Sequence, residues 1–334
     1  MTYEARLAAL ERRGYTRRQS EFLVLVLLNS GYFLRRQHAA FFRVEDGSCT
    51  TDFVRALLQR HLATRRVFDR QTQVFRIGSR MLYDAIGEPD SRLRRAAEPD
   101  AITQRLMTLD VLVAFRERPY LATEAEKVHF FTDLFDVPLS DLPGHLYRSH
   151  RPDVPPTTRH FVDRVPVLLG AHDTTFVYVQ GWAPLGAFAG FLNAYTPLLR
   201  RLPHAVIRFC TPDERVIDRA ARMCQRRFGS PLPEVTTPAD AHVVLAHFDA
   251  RRRFETRQFR SFTDQELERL RRDLDRFQGP YYETWYERWR VEGAAAQPPI
   301  KPTSVDDRAA PGVQFVPHIL SDRYPFSGRV QEAA

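Results

Sequence analysis

Nine side chains carry the clearest chemistry in this sequence: Arg35, Arg36, Thr50, Thr51, Arg55, Gln59, Arg65, Arg66 and Arg70. Guanidinium forks donate to phosphate oxygens and to guanine edges, and Thr or Gln side chains reach base edges with short donors and acceptors. Thr50, Thr51 and Arg55 are assigned to base edges, with Gln59 on the same helix face. Arg35, Arg36, Arg65, Arg66 and Arg70 are assigned to phosphate.

Other chemistries find little support. There is no P-loop, G-x-G-x-x-G, H-E-x-x-H or G-x-S-x-G pattern. His242 and His247 share a strand-like stretch, but five residues apart they fall on opposite faces and cannot share a metal. Cys49, Cys210 and Cys224 are widely spaced, which fits neither a disulfide framework nor a zinc site. They read as inert thiols in a reducing cytoplasm. Glu124, Glu126, Lys127 and His129 crowd one short segment and read as a solvated helix face. No cofactor and no metal are expected.

The elements that must position the nine residues follow from the apolar spacing. Thr16 is placed to cap a helix carrying Phe22, Leu23, Val26 and Leu27, which Gly31 ends. Tyr32–Leu34 form a short apolar strip. A second helix spans Arg35 to Phe42. Asp46-Gly47 is a turn, and Ser48 or Thr50 caps a third helix with Phe53, Leu57, Leu58 and Leu62 on one face. Two β-like runs, 65–68 and 73–77, flank a hairpin-length turn at 69–72. Three helices followed by a basic hairpin give the order of a winged helix-turn-helix, in which the third helix enters the major groove.

Beyond this module, 81–86 reads as a short helix. Residues 101–118 read as an amphipathic helix with Leu106, Leu109, Leu112, Val113 and Phe115 in its stripe. Lys127–Leu134 is helix-like, and a proline-punctuated loop region follows. Strands are expected at 165–169, 175–179, 205–209 and 242–247. Helices are expected at 185–201, with a kink at Pro197, and at 214–228, 263–277 and 281–290. That order describes an α/β layer. Four regions result: a winged helix-turn-helix over 1–96, a helical linker over 97–160, an α/β domain over 161–292, and a largely irregular tail over 293–334.

Charge supports this division. Residues 1–96 contain 18 arginines and no lysine against 10 acidic residues, an excess of eight. The remaining 31 basic and 31 acidic residues cancel, so the chain's formal charge of +8 resides in the first region. A polyanion-binding module needs such an excess. Lys127 and Lys301 are the only lysines, a bias that GC-rich coding would explain, but base composition acts on the whole chain and leaves the regional asymmetry standing. No apolar run is long enough to span a bilayer, and the N-terminus lacks a signal-peptide pattern. A cytoplasmic protein without membrane contact is expected.

Thr16-Arg17-Arg18-Gln19 opening a helix and Arg76-Ile77-Gly78 closing a wing resemble the replication-relaxation family of bacterial mobile elements. The order of parts resembles it too: winged helix, linking helix, small α/β domain. The resemblance spans about residues 16–210 and implies a restriction-endonuclease-like core. An active core of that type needs a carboxylate near the start of one strand and an acidic-x-Lys pair on the next. Asp163 matches the first. Gln180 stands where the second carboxylate belongs and Trp182 where the Lys belongs, so the domain reads as non-catalytic.

The expected function is therefore that of a double-stranded-DNA-binding protein of a plasmid or mobile element, acting in replication, maintenance or transcription control. A homodimer or an element-encoded protein is the further partner. The alternatives are a metal-dependent nuclease with a PD-(D/E)xK-like core, or a protein-interaction module.

Overall fold

Thr2 and Thr16 each accept a hydrogen bond from a backbone N–H three residues on, and each starts a helix. In this computed structural model the described residues are 1–68, 72–148, 156–170, 173–229, 238–256, 258, 261–277, 280–293, 296, 312–322 and 324–325. Helix α1 (Tyr3–Glu11) precedes the first helix expected from the sequence. Helix α2 (Arg17–Asn29) begins with a full capping box, Gln19 N to Thr16 Oγ1 at 3.3 Å and Thr16 N to Gln19 Oε1 at 3.0 Å. Its residues Phe22 to Leu28 are all buried, and Gly31, at φ +71°, turns the chain into β1 (Tyr32–Leu34).

Helices α3 (Arg35–Phe42) and α4 (Ser48–Gln59) follow, then strands β2 (Ala63–Val67) and β3 (Gln73–Ile77). The three strands form an antiparallel sheet in the order β1-β3-β2. Phe33 and Phe75 stack at 5.3 Å on the face that meets Phe22 and Phe53. Gly47 rather than Ser48 or Thr50 is the N-cap of α4, and it offers no side-chain cap.

Helix α5 (Arg80–Ala85) leads through a 3-10 turn at Arg92–Arg94 to α6 (Pro99–Ala114). Ile102, Leu106, Met107, Leu109, Leu112 and Val113 of α6 are buried in one continuous core. That core joins Phe22, Phe33 and Phe75 to Val177, Val179 and Cys210 of a second sheet. Helix α6 thus shares its core with the helices and the three-stranded sheet of the first 96 residues.

The second sheet uses β4 (Tyr120–Leu121), β7 (Val167–Leu169), β8 (Thr174–Val179), β9 (His204–Thr211) and β10 (Gly312–Ile319). Before β7 come α7 (Glu124–His129), which continues as a π-helical turn to Leu134, and a hairpin of β5 (Gly144–Tyr147) and β6 (Thr157–His160). The order is β10-β9-β8-β7-β4, with β8, β9 and β10 parallel and β7 and β4 antiparallel. Helix α8 (Gly186–Arg201) continues through Pro197 and connects β8 to β9. The fold is thus mixed α/β.

Two expectations change here. The stretch 242–247 is not a strand but part of α10 (Pro238–Glu255). Val244 and Phe248, four apart, are buried together with Trp285 and Tyr286, which is the helical rather than the strand period. The strand beside β9 is β10, from the region expected to be irregular; its Val313 pairs with Ala205 and its Phe315 with Ile207.

Helix α9 (Ile217–Phe228) contains the boundary between two compact units, residues 1–221 with 311–334 and residues 222–310. In the second unit, α10, α11 (Asp264–Arg276) and α12 (Pro280–Glu292) surround an aromatic core. Phe248 meets Trp285 edge to face at 5.6 Å, and Trp285 Nε1 donates to the Ala296 carbonyl at 3.0 Å. Thr263 and Glu266 form the capping box of α11. No helix among the described residues is long and apolar enough to cross a membrane.

Candidate nucleic-acid interface

Helix α4 is anchored by the period of its buried residues. Thr50, Phe53, Val54 and Leu57 lie on one face and are all buried. Thr50 therefore cannot touch a base edge: it is fully buried, and its Oγ1 lies 3.0 Å from His38 Nδ1. Its position three, four and seven residues before Phe53, Val54 and Leu57 dictates this, and the sequence contained that information. The His38 ring is sandwiched between Phe42 and Phe53 at 4.4 Å on each side. Burial lowers its pKa to about 4, so the ring is neutral near pH 7.

The remaining expected contacts separate into engaged and exposed groups. Arg35 forks onto Asp46 at 3.0 and 2.7 Å and also donates to Thr51 Oγ1 at 2.9 Å. Thr51 itself donates to the Gly47 carbonyl at 2.9 Å. Both residues brace the turn before α4. Arg36 faces inward: it grips Asp110 of α6 at 2.6 and 2.8 Å, reaches Asp322 at 3.0 Å and lies 5.4 Å from the Tyr324 ring centroid. A fork on a carboxylate within the same chain serves packing rather than phosphate.

Arg55 and Gln59 remain on the outer face of α4; Arg55 is 59% exposed and pairs with Asp52 at 2.8 Å. Arg65 and Arg66 are exposed on the edge strand β2, with the Arg66 guanidinium 5.0 Å from the Phe68 ring centroid. Arg70 lies outside the described residues.

The structure adds basic residues that sequence reading did not select. Arg60, just past α4, stacks 5.3 Å from the Tyr15 ring centroid and donates to the Arg13 carbonyl at 3.4 Å. This places the end of α4 against the end of α1, where Arg12 is also exposed. The sequence signal was Thr2 followed by Leu7 and Leu10 at helical spacing, which marks α1.

The nuclease-like positions are engaged within the fold. The Asp163 carboxylate accepts from the Tyr195 hydroxyl at 2.7 Å, in a turn where Phe161 and Arg164 adopt φ of +51° and +58°. Gln180 is buried and donates through Nε2 to the Ala183 carbonyl at 2.6 Å, while Trp182 is 36% exposed. No group of three or more His, Cys, Asp or Glu suited to a metal ion occurs among the described residues.

Lys127 corrects the reading of a solvated helix face. It is fully buried and donates to the Val165 carbonyl at 2.7 Å. Burial lowers its pKa to about 8, against the opposing pull of Asp163 and Glu126. Glu126 accepts from the Ala122 and Thr123 amides and ion-pairs with the buried Arg6, and Glu124 accepts from Arg159 at 2.8 Å. Only His129, paired with Asp133 at 2.6 Å, stands well out in solvent.

No family model, curated protein or solved structure matches the chain.

Proposed function

We propose that the chain is a duplex-DNA-binding protein whose first 96 residues act as a winged helix. The observation that carries this reading is the connection of α4 to the β2–β3 hairpin. The outward side of α4 bears Arg55 and Gln59, and the edge strand that follows bears Arg65 and Arg66. The sheet order β1-β3-β2 and the arginine excess of the region support it. In this mode α4 lies in the major groove and the hairpin follows the backbone. Arg55 reads base edges; Arg65 and Arg66 neutralise phosphates.

The five-stranded sheet acts as a scaffold in this reading. Asp163 is committed to Tyr195, and the Gln180 amide to a backbone carbonyl. The biological role proposed is replication, maintenance or transcription control on a plasmid or mobile element, in keeping with the resemblance carried by Thr16–Gln19 and Arg76–Gly78.

The testing experiment is duplex binding by the full chain, followed by fluorescence anisotropy across a salt series. Binding that weakens steeply with salt supports the reading, because neutralised phosphates release condensed counterions. Absence of binding at low salt overturns it.

A further inference from the structure

We propose that the cleft between α1, α2, the end of α3 and the end of α6 is a binding site for a small aromatic carboxylate, a function that does not depend on duplex binding.

The cavity measures about 320 Å³, the scale of a small-molecule site. Leu25 of α2 and Phe41 of α3 give it an apolar wall, and the Tyr3 and Tyr120 rings, edge to face at 6.3 Å, add aromatic surface. Such walls suit a flat hydrocarbon body. Three guanidinium groups line the same cavity, from Arg18, Arg43 and Arg116. Arg18 Nη2 donates to the Phe42 carbonyl at 2.8 Å, and its guanidinium lies 4.9 Å from the Phe42 ring centroid. Arg116, with only 17% of its side chain exposed, donates through Nη1 to the Ala40 and Val113 carbonyls at 3.4 and 3.5 Å. Arg43, the C-cap of α3, donates through Nη2 to Glu117 at 2.9 Å. Each fork is thus held by one nitrogen beside the last turn of α3. The other guanidinium nitrogens of the three have no hydrogen-bond acceptor among the described residues.

The charges in the cavity do not cancel. Two carboxylates also line it, Glu21 and Glu117. Glu21 pairs at 3.3 Å with Arg17, which is not part of the lining, and Glu117 pairs with Arg43. Arg116 Nε is 3.6 Å from Glu117, too far for a hydrogen bond. Arg18 has no carboxylate partner among the described residues. Arg18 and Arg116 are therefore left with donors and no hydrogen-bonded acid. A ligand carboxylate supplies the paired acceptors that a guanidinium fork matches. A bare inorganic anion would leave the wall of Leu25 and Phe41 unused, and an uncharged aromatic would leave the two guanidiniums unmatched. Both requirements are met by an aromatic ring that carries one carboxylate.

The test is calorimetric titration of the full chain with indole-3-acetate, with acetate, inorganic phosphate and indole-3-acetamide as controls. Indole-3-acetate is expected to bind, and the three controls are not. Arg116→Gln is expected to weaken binding about tenfold, as the loss of one charged hydrogen bond would. Glu117→Gln changes a side chain that is 74% exposed and frees the Arg43 fork; it is expected to tighten binding severalfold, a gain that misfolding cannot produce. No binding by the wild type overturns the site, and so does wild-type affinity in both variants. Equal binding of acetate or phosphate identifies a bare-anion site, and equal binding of the acetamide an uncharged cleft; either overturns the proposal. Duplex binding enters none of these readouts, so each outcome leaves the DNA-binding reading where it stands.

Discussion

His38 Nδ1 and Thr50 Oγ1 lie 3.0 Å apart inside the helical module, and this contact locks α3 to α4. The pair makes Thr50 a structural residue. Thr50→Val keeps the side-chain shape and leaves the imidazole nitrogen unpaired, at a cost of about 1–3 kcal/mol. The expected outcome is a lower unfolding midpoint with no change in relative affinity for different duplexes. A change in sequence preference at equal stability would return Thr50 to the interface.

His38 also makes stability depend on pH. Its folded pKa of about 4 lies below the ordinary histidine value, so the unfolded chain binds the proton more readily. The contribution of the neutral ring is fully present above the unfolded pKa and is lost as pH falls from about 6.5 towards 4. Denaturant titrations across this window should show a shallower decline for His38→Asn than for the wild type. Parallel declines would mean that His38 is not the group being protonated.

The Arg36 fork on Asp110 ties α3 to α6, and Tyr324 donates to the same carboxylate at 2.7 Å. Thr103 adds a hydrogen bond to the Pro325 carbonyl at 2.9 Å. Removing one partner leaves the half-buried Asp110 short of its cation. Arg36→Gln should therefore lower the midpoint and raise amide exchange in α6. Were Arg36 a phosphate contact instead, the variant would keep wild-type exchange and lose DNA affinity.

Arg55 and Arg65 should separate reading from positioning. Arg55→Ala is expected to compress the affinity difference between a preferred and a mismatched duplex, where one good base contact is worth about 1–3 kcal/mol. Arg65→Ala should weaken both duplexes equally. Uniform loss in both variants would take base reading away from α4.

Much of the fold was legible, because caps and periods are local. Thr16 announced α2, whose apolar run gave the centre of the core, and the spacing over 263–277 announced α11. What local pattern could not supply was partnership at a distance. The run Val243–Leu245 is compatible with strand or helix until α12 provides Tyr282 and Trp285 as neighbours. Strand β10 carries few turn signals, and only pairing with β9, about a hundred residues earlier, makes it a strand. Arg36, Lys127 and Glu126 looked like surface charges because their counterparts Asp110, Val165 and Arg6 are remote in sequence. Thr50 is different: the helical period already placed it on the buried face.

The most direct measurement of DNA binding is the affinity of the full chain for a duplex as a function of salt. The account predicts micromolar or tighter binding at 50 mM salt that falls by several hundredfold or more at 200 mM, as about five or more phosphate contacts would give. Affinity that is absent at low salt, or flat across the series, would contradict it.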